Sequence, residues 1–340
     1  MLKRRGLVIT SIADDKHPIL LKIAEDSISQ NIETVVIGDT KSPNTFQIEG
    51  IDFYSIQDQL KLGFELSKIA PQKHYSRKNI GYLICIDRGY DIIQETDDDN
   101  IPFDKYWEDY SFESNRTVFK DTGWFNVYGE FTEKMIWPRG FSLSEIQNQK
   151  DIKSVTERIF TPILQGLADE NPDVDAIYRL TYPLPFYFDK QEKSVVLGQG
   201  SWCPFNSQNT LWHRDAFPLL YLPSHCSFRM TDIWRSFVAQ RICWEYGWGV
   251  LFHEPTVYQI RNDHNLIRDF EEEISGYLGN EKIISALSAL DLSRNDGDIF
   301  KNLTDCYNVL MNLGFVGVEE IPLIEAWTKD CRTLLESVSV

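Results

Sequence analysis

From Gly6 to Ile12 the chain runs apolar with β-branched residues, the pattern of a buried strand. At Pro18 the period changes: Ile19, Leu20, Ile23, Ala24 and Ile28 recur at helical spacing. Thr34-Val35-Val36-Ile37 then predicts a second buried strand, closed by Gly38. Strand, helix, strand in this order belongs to an open α/β sheet with parallel strands. A further helix is predicted from about Arg77 to Asp87, with Ile80, Leu83 and Ile84 on one face and Gly89 past its end. The strand after it, through Tyr90-Asp91-Ile92-Ile93, runs into Glu95-Thr96-Asp97-Asp98-Asp99-Asn100.

Residues 101 to 200 are rich in Trp, Tyr, Phe, Pro and Gly and show less regular periodicity. Ile233, Trp234, Phe237, Val238 and Ile242 mark a helix between Met230 and Tyr246, and Gly249 to Phe252 a short strand. Beyond Asn265 four helical segments are predicted, Leu266 to Tyr277, Lys282 to Leu290, Ile299 to Leu313 and Leu323 to Leu335, separated by Gly, Asn and Asp. The expected organisation is an α/β domain over 1–264 and a C-terminal helical appendage over 265–340.

Composition narrows the function classes. With 340 residues, 42% hydrophobic and 25% charged, the chain has the make-up of a soluble globular protein. A net charge of -17 repels nucleic-acid phosphates and anionic membranes, so no nucleic-acid partner is expected. The six cysteines are scattered without a C-x-x-C pair, as in a reduced, cytoplasmic protein. The basic start meets Asp14 and Asp15 after a short apolar run, which predicts a first strand rather than a leader. No stretch reaches the ~18 to 20 apolar residues of a membrane span.

In open α/β sheets ligands gather beyond the carboxyl ends of the strands. Thr10-Ser11, Gly38-Asp39-Thr40-Lys41 and Asp97-Asp98-Asp99 fall at such ends. Two aspartates one residue apart can offer oxygens to Mg²⁺ or Mn²⁺, although a solvated acidic turn has the same composition. Arg77 and Lys78 stand at a predicted helix start, where free N–H groups favour anions; a diphosphate between them and a metal on the aspartates would account for both clusters. Asp232 is either an N-cap or a carboxylate able to accept a proton from an attacking hydroxyl. Asp173-Val174-Asp175 could bind acceptor hydroxyls or form an Asx-type turn. His264 is a candidate metal ligand or a hydrogen-bonded surface residue.

Taken together, the chain resembles the STELLO family of glycosyltransferases. The matching pieces are VITSI at 8–12, VVIGDTKSP at 35–43, YSRKNIGYL at 75–83, ETDDDN at 95–100, WPRGF at 137–141, DVDAIYRLT at 173–181, PFNSQNTLW at 204–212 and RMTDIWRSF at 229–237. The resemblance implies a GT-A-like fold, a nucleotide-sugar-binding mixed α/β sheet flanked by helices, working with Mn²⁺ or Mg²⁺. By the same resemblance Asp97 and Asp99 become metal or ribose ligands, with Asp98 beside them and His264 as a third metal ligand. Thr10, Ser11 and Asp39 would contact the nucleoside, and Arg77 and Lys78, with the adjoining Asn79, the diphosphate. Asp232 would be the catalytic base. Arg139, Asp173, Asp175 and Asn209 would face the acceptor or sugar.

The implied partners are a nucleotide-sugar donor, a UDP-sugar first, and a glycan or other hydroxyl acceptor, with a homo-oligomer allowed for. Plant members of the family carry a membrane anchor and a Golgi address; no such segment stands in this sequence, so a cytoplasmic location is expected. The competing class is a non-catalytic nucleotide-sugar-binding scaffold that assists another glycosyltransferase. Trp137-Pro138-Arg139-Gly140-Phe141 is more distantly similar to a segment of the UDP-arabinopyranose mutases (reversibly glycosylated polypeptides), with Ser142 where they carry proline. That similarity implies a self-glycosylating role for Arg139 as a further alternative.

Overall fold

A computed structural model describes residues 3–43, 45–148, 153–189, 193–261, 265–295 and 297–337. The first half opens with β1 (Arg5–Thr10), α1 (Pro18–Ser29), β2 (Glu33–Ile37) and β3 (Ile51–Tyr54). Two short helices, α2 (Ile56–Lys61) and α3 (Glu65–Ile69), lead to α4 (Lys78–Asp87) and β4 (Ile92–Thr96). β5 (Asn100–Pro102), β6 (Glu113–Phe119), β7 (Gly123–Trp124), β8 (Ser154–Phe160) and β9 (Ile163–Asp169) follow. After α5 (Ala176–Thr181) come β10 (Ser194–Leu197), β11 (Ser201–Trp202) and β12 (Asn209–His213). The chain continues through α6 (Thr231–Glu245), β13 (Val250–Gln259), α7 (Leu266–Ser288), α8 (Ile299–Asn312) and α9 (Ile321–Ser337).

Among the described residues one mixed sheet of 11 strands runs β3-β2-β1-β4-β12-β9-β13-β10-β6-β8, with β5 paired to β13. Its first four strands are parallel, with Val8 beside Val35 on one side and Glu95 on the other. β12 then runs antiparallel to both β4 and β9, so the sheet reverses direction there. The apolar runs read from the sequence are strands buried on both faces: Leu7, Val8, Ile9, Val35, Val36 and Ile93 have no exposed surface. At the carboxyl end of β4 the acidic triplet begins, two strands from the β2 end that leads into Asp39.

Two expectations change. The helical segments Leu266–Tyr277 and Lys282–Leu290 form a single helix, α7, through Gly276, Gly279 and Asn280. These residues serve close packing: a Cβ on Gly276 would lie 2.3 Å from the Met230 sulfur, and one on Gly279 2.3 Å from the Phe315 ring. Glycine's cost inside a helix is about 1 kcal/mol, offset here by those contacts.

The C-terminal helices also share their core with the sheet domain, since Leu303, Tyr307, Ile324 and Trp327 join the same buried cluster as Val8, Ile80 and Trp234. Polar ties reinforce the contact. Asp330 on α9 caps α3 by accepting from Glu65 N at 3.1 Å and Leu66 N at 2.8 Å, and Trp327 Nε1 donates to Pro218 O at 3.0 Å.

On β13, His253 is 3% exposed, with Nδ1 2.9 Å from the Glu254 carbonyl and Nε2 without a partner. Tyr110 stacks on it, and Glu254 and Lys105 are the nearest charges. Burial pushes this imidazole down from 6.5 to about 4. The folded state then binds fewer protons than the unfolded chain between these values, so the contribution is present above about 6.5 and lost as pH falls toward 4. Urea midpoints of His253→Gln are expected to fall less steeply than wild type over that interval; parallel slopes would remove His253 from the acid response.

Candidate functional site

The ends of β1, β2 and β4 border a cleft of about 300 Å³ lined by Thr10, Ser11, Gly38, Asp39, Lys41, His74, Tyr75, Asp98 and Phe228, among others. The Ser11 hydroxyl donates to Asp98 Oδ2 at 2.5 Å, so the two residues form one polar edge. Asp39 accepts from Thr40 N at 2.6 Å and His74 N at 3.1 Å, joining the loop after β2 to the turn before α4. Opposite, His74, Tyr75 and Phe228 pack with ring centroids 4.9 to 5.5 Å apart. Ile12 and Phe228, 52% and 46% exposed, leave apolar surface at the rim that a flat ring could cover. Burial, with His225 nearby, pushes His74 down to about 4 and keeps this wall neutral.

A second, smaller cavity of about 170 Å³ is lined by charge: Asp97, Asp99, Asp173 and Asp232 with Arg139, Arg179, Arg229 and Arg261, besides Asn206, Gln208 and Gln259. The triplet separates the two spaces, Asp98 lining the first and Asp97 and Asp99 the second. Asp98 and Asp99 sit in a turn after β4, closed by Asn100 N donating to Asp97 O at 3.3 Å.

The triplet already has one counterion inside the protein. Lys78 is fully buried, and its ammonium donates to Asp97 Oδ1 at 2.7 Å, Thr96 O at 3.0 Å and Ser207 O at 3.1 Å. Its three protons are thereby used, and it positions Asp97 instead of facing a diphosphate. Arg77 is likewise buried, holding Gln59 Oε1 through Nε at 2.9 Å and the Ala70 and Pro71 carbonyls through Nη1. Asn79 brackets the backbone of Leu222 at 2.9 Å on both its amide atoms. Lys78 and Asn79 are thus held by the scaffold in the buried first turn of α4, whereas Arg77, just before it, has scaffold acceptors and also lines the first cleft.

Asp97 and Asp99 remain short of positive charge. Burial, with Asp97 and Asp98 beside it, raises Asp99 to about 7, against a pull from Gln259 at 2.8 Å. Burial also raises Asp97, although Lys78 opposes it. Among the described residues no group of three or more His, Cys, Asp or Glu is placed to hold a metal. Two crowded carboxylates at a cavity nevertheless suit a hard divalent cation whose other ligands are phosphate oxygens and water. His264 lies outside the described residues.

Arg139 organises the floor. It donates from Nε and Nη2 to Asp173 at 2.8 and 2.9 Å, from Nη1 and Nη2 to Asp232 at 3.0 Å each, and from Nη1 to the Arg229 carbonyl. Every N–H of the guanidinium is occupied and it stays protonated, which leaves no nitrogen free to act as a glycosyl acceptor. Burial alone would raise Asp173, but Arg139 pulls it down to about 2. Asp232 stands in the first turn of α6, also accepting from Ile233 N at 3.0 Å and Ser207 N at 3.4 Å, so its orientation is fixed and its charge shared.

Two expected contacts lie away from the cavities. Asp175 is the N-cap of α5, accepting from Tyr178 N and Trp137 Nε1 at 2.7 Å each. Asn209 is buried in β12, bound to Leu167 O at 2.9 Å and Thr256 Oγ1 at 2.8 Å. Arg179, Arg229, Arg261, Asn206, Gln208 and Gln259 were not assigned from sequence. Arg179 carried the one usable signal, since it sits four residues after Asp175 on the same helix.

An open mixed sheet flanked by helices, with an Asp-x-Asp at a strand end between two cavities, is consistent with a GT-A-like fold. Residues 229–337 match the model of the STELLO glycosyltransferases. The chain is 29% identical to the Probable glycosyltransferase STELLO2 of Arabidopsis thaliana over 325 residues, 88% of this chain and 41% of that protein. It is 28% identical to STELLO1 of the same plant over the same shares. The chain is thus similar to the STELLO glycosyltransferases over most of its length, and spans about two-fifths of the length of these curated relatives. A solved structure titled as a mycobacterial protein is similar at a TM-score of 0.42 and 10% identity, over 82% of this chain and 75% of that one, a likeness too distant to carry an argument. No helix among the described residues is long and apolar enough to cross a membrane.

Proposed function

We propose that the chain is a glycosyltransferase that takes a sugar from a nucleoside diphosphate, a UDP-sugar first, to an acceptor hydroxyl. The observation that carries this reading is the placement of the triplet between two spaces: a larger cleft with an apolar rim and basic groups (Lys41, Lys73, Arg77) beside Ser11 and Asp98, and a smaller one lined by aspartates and arginines at Asp97 and Asp99. The base would lie against Ile12 and Phe228, and the ribose hydroxyls at Ser11 and Asp98. Asp97 and Asp99 would hold Mn²⁺ or Mg²⁺, which supplies positive charge to the departing diphosphate. Lys78 keeps Asp97 in place for that task.

In the transfer the acceptor oxygen forms a bond to the anomeric carbon while the bond to phosphate breaks, its electron pair leaving with the nucleoside diphosphate. Asp232 takes the hydroxyl proton. The attacking oxygen becomes strongly acidic as its new bond forms, so a well-oriented carboxylate suffices. One displacement inverts the anomeric centre.

Released nucleotide, measured over a panel of nucleotide sugars with Mn²⁺ or Mg²⁺ and simple glycan acceptors, tests the proposal. Metal-dependent release is expected, and Asp232→Asn should lower kcat roughly 10²–10⁴-fold with nucleotide Kd unchanged. Nucleotide binding without turnover across the panel would favour the scaffold reading. Loss of binding in Asp232→Asn would reduce Asp232 to a support for Arg139.

A further inference from the structure

The second cavity carries a cationic wall that the transfer chemistry leaves unused. Arg179 on α5 donates from Nη2 to Pro172 O at 2.8 Å and from Nη1 to Asn171 Oδ1 at 3.4 Å, and its buried Nε has no partner. It pairs with no carboxylate among the described residues. Among the described residues Arg229 donates to Glu273 Oε1, through Nε at 3.0 Å and Nη2 at 2.7 Å, and Arg261 to Asp269, through Nη2 at 2.6 Å. Among the described residues these three guanidinium groups thus share two carboxylates, and Asp173 is held by Arg139. Burial pushes Arg179 down to about 9, with Arg261 and Arg229 adding to the effect. A protein of net charge -17 has gathered three arginines here, with Arg179 paired to no carboxylate among the described residues.

We propose that Arg179, Arg229 and Arg261 form a subsite for an anionic group, a phosphate or carboxylate, carried by the acceptor, so that the enzyme's acceptor class is acidic. Guanidinium forks match such groups in bidentate geometry, and burial strengthens the pairing. None of the three arginines lines the nucleoside cleft, and all three line the cavity where acceptor and donor sugar would meet. The identity of the ligand as an acceptor rests on the glycosyltransferase reading; the existence of an anion subsite does not.

Inorganic phosphate is the first probe, titrated calorimetrically in an anion-free buffer with and without saturating UDP and Mn²⁺. Phosphate is expected to bind in both conditions, to weaken at least 10-fold in Arg179→Gln, and to weaken less in Arg179→Lys, with thermal unfolding of each variant confirming a folded protein. Phosphate excluded by UDP would mean that the arginines hold the donor's diphosphate, and would overturn the acceptor assignment. Absence of phosphate binding, or equal binding in Arg179→Gln, would overturn the subsite itself. If UDP fails to bind while phosphate still binds through Arg179, the donor reading fails and the subsite stands. In turnover, Arg179→Gln should lower kcat/KM at least 10-fold for a phosphorylated sugar acceptor and less than 2-fold for its neutral counterpart; equal losses would contradict the proposal.

Discussion

Replacing Arg235 by methionine is expected to destabilise the protein by about 3–5 kcal/mol, the cost of removing one partner from a buried ion pair. Arg235 and Glu95 are 1% and 0% exposed and meet in a fork, Nη1 to Oε2 at 3.1 Å and Nη2 to Oε1 at 2.8 Å. Glu95 also accepts from Trp212 Nε1 at 2.8 Å and from the Tyr82 hydroxyl, and Arg235 donates to Asn206 O at 3.0 Å while lying 4.9 Å over the Trp212 ring. Without the arginine, a carboxylate deep in the sheet keeps only neutral donors. The urea midpoint should fall with an unchanged m-value, and Glu95→Gln combined with Arg235→Met should recover part of the loss, since no lone charge remains. A loss under about 1 kcal/mol would show that water reaches Glu95. The pair matters to the site because it joins β4, which leads into the triplet, to α6, which carries Asp232.

Asp99→Asn should act in opposite directions on stability and turnover. Asp97, Asp98 and Asp99 crowd three carboxylates at one strand end, and among the described residues the salt bridge of the triplet is that of Asp97 with Lys78. Asp99 is bound by neutral groups, Gln259 Nε2 at 2.8 Å and Asn100 Nδ2 at 3.3 Å. An asparagine relieves the repulsion while keeping an acceptor for one of these partners, so the urea midpoint should rise, by about 0.5–2 kcal/mol in stability. On the proposed function, nucleotide release should fall by roughly 10²-fold or more, since a carboxylate that would hold the cation facing the diphosphate is lost. A variant that is both less stable and fully active would make Asp99 a structural residue.

The sequence was informative where a local pattern decides the outcome. β1, α1, β2, α4 and α6 follow from periodicity, and the strand-end position of Thr10-Ser11, Asp39 and the triplet follows from that order. Partners at long range were not legible. Arg77 and Lys78 read as diphosphate contacts because nothing local tells that α4 is buried through most of its length, packed on β1, β2 and α9. Arg139, Asp173 and Asp232 lie in three separate motifs, and only the fold makes them one ion cluster. Gly279 and Asn280 looked like a break between helices because their partners, the Phe315 ring and the Gly140 carbonyl, belong to distant segments. The arginine wall has the same origin: Arg179, Arg229 and Arg261 come from α5, from the residues just before α6 and from those just after β13.

The central claim is that a nucleoside diphosphate bridges the two cavities across the triplet, and a crystal structure with UDP and Mn²⁺ tests it most directly. The account predicts the base at the rim formed by Ile12 and Phe228, the ribose at Ser11 and Asp98, and the diphosphate reaching a cation on Asp97 and Asp99. A nucleotide bound elsewhere, or one whose phosphates point away from Asp97 and Asp99, would contradict it.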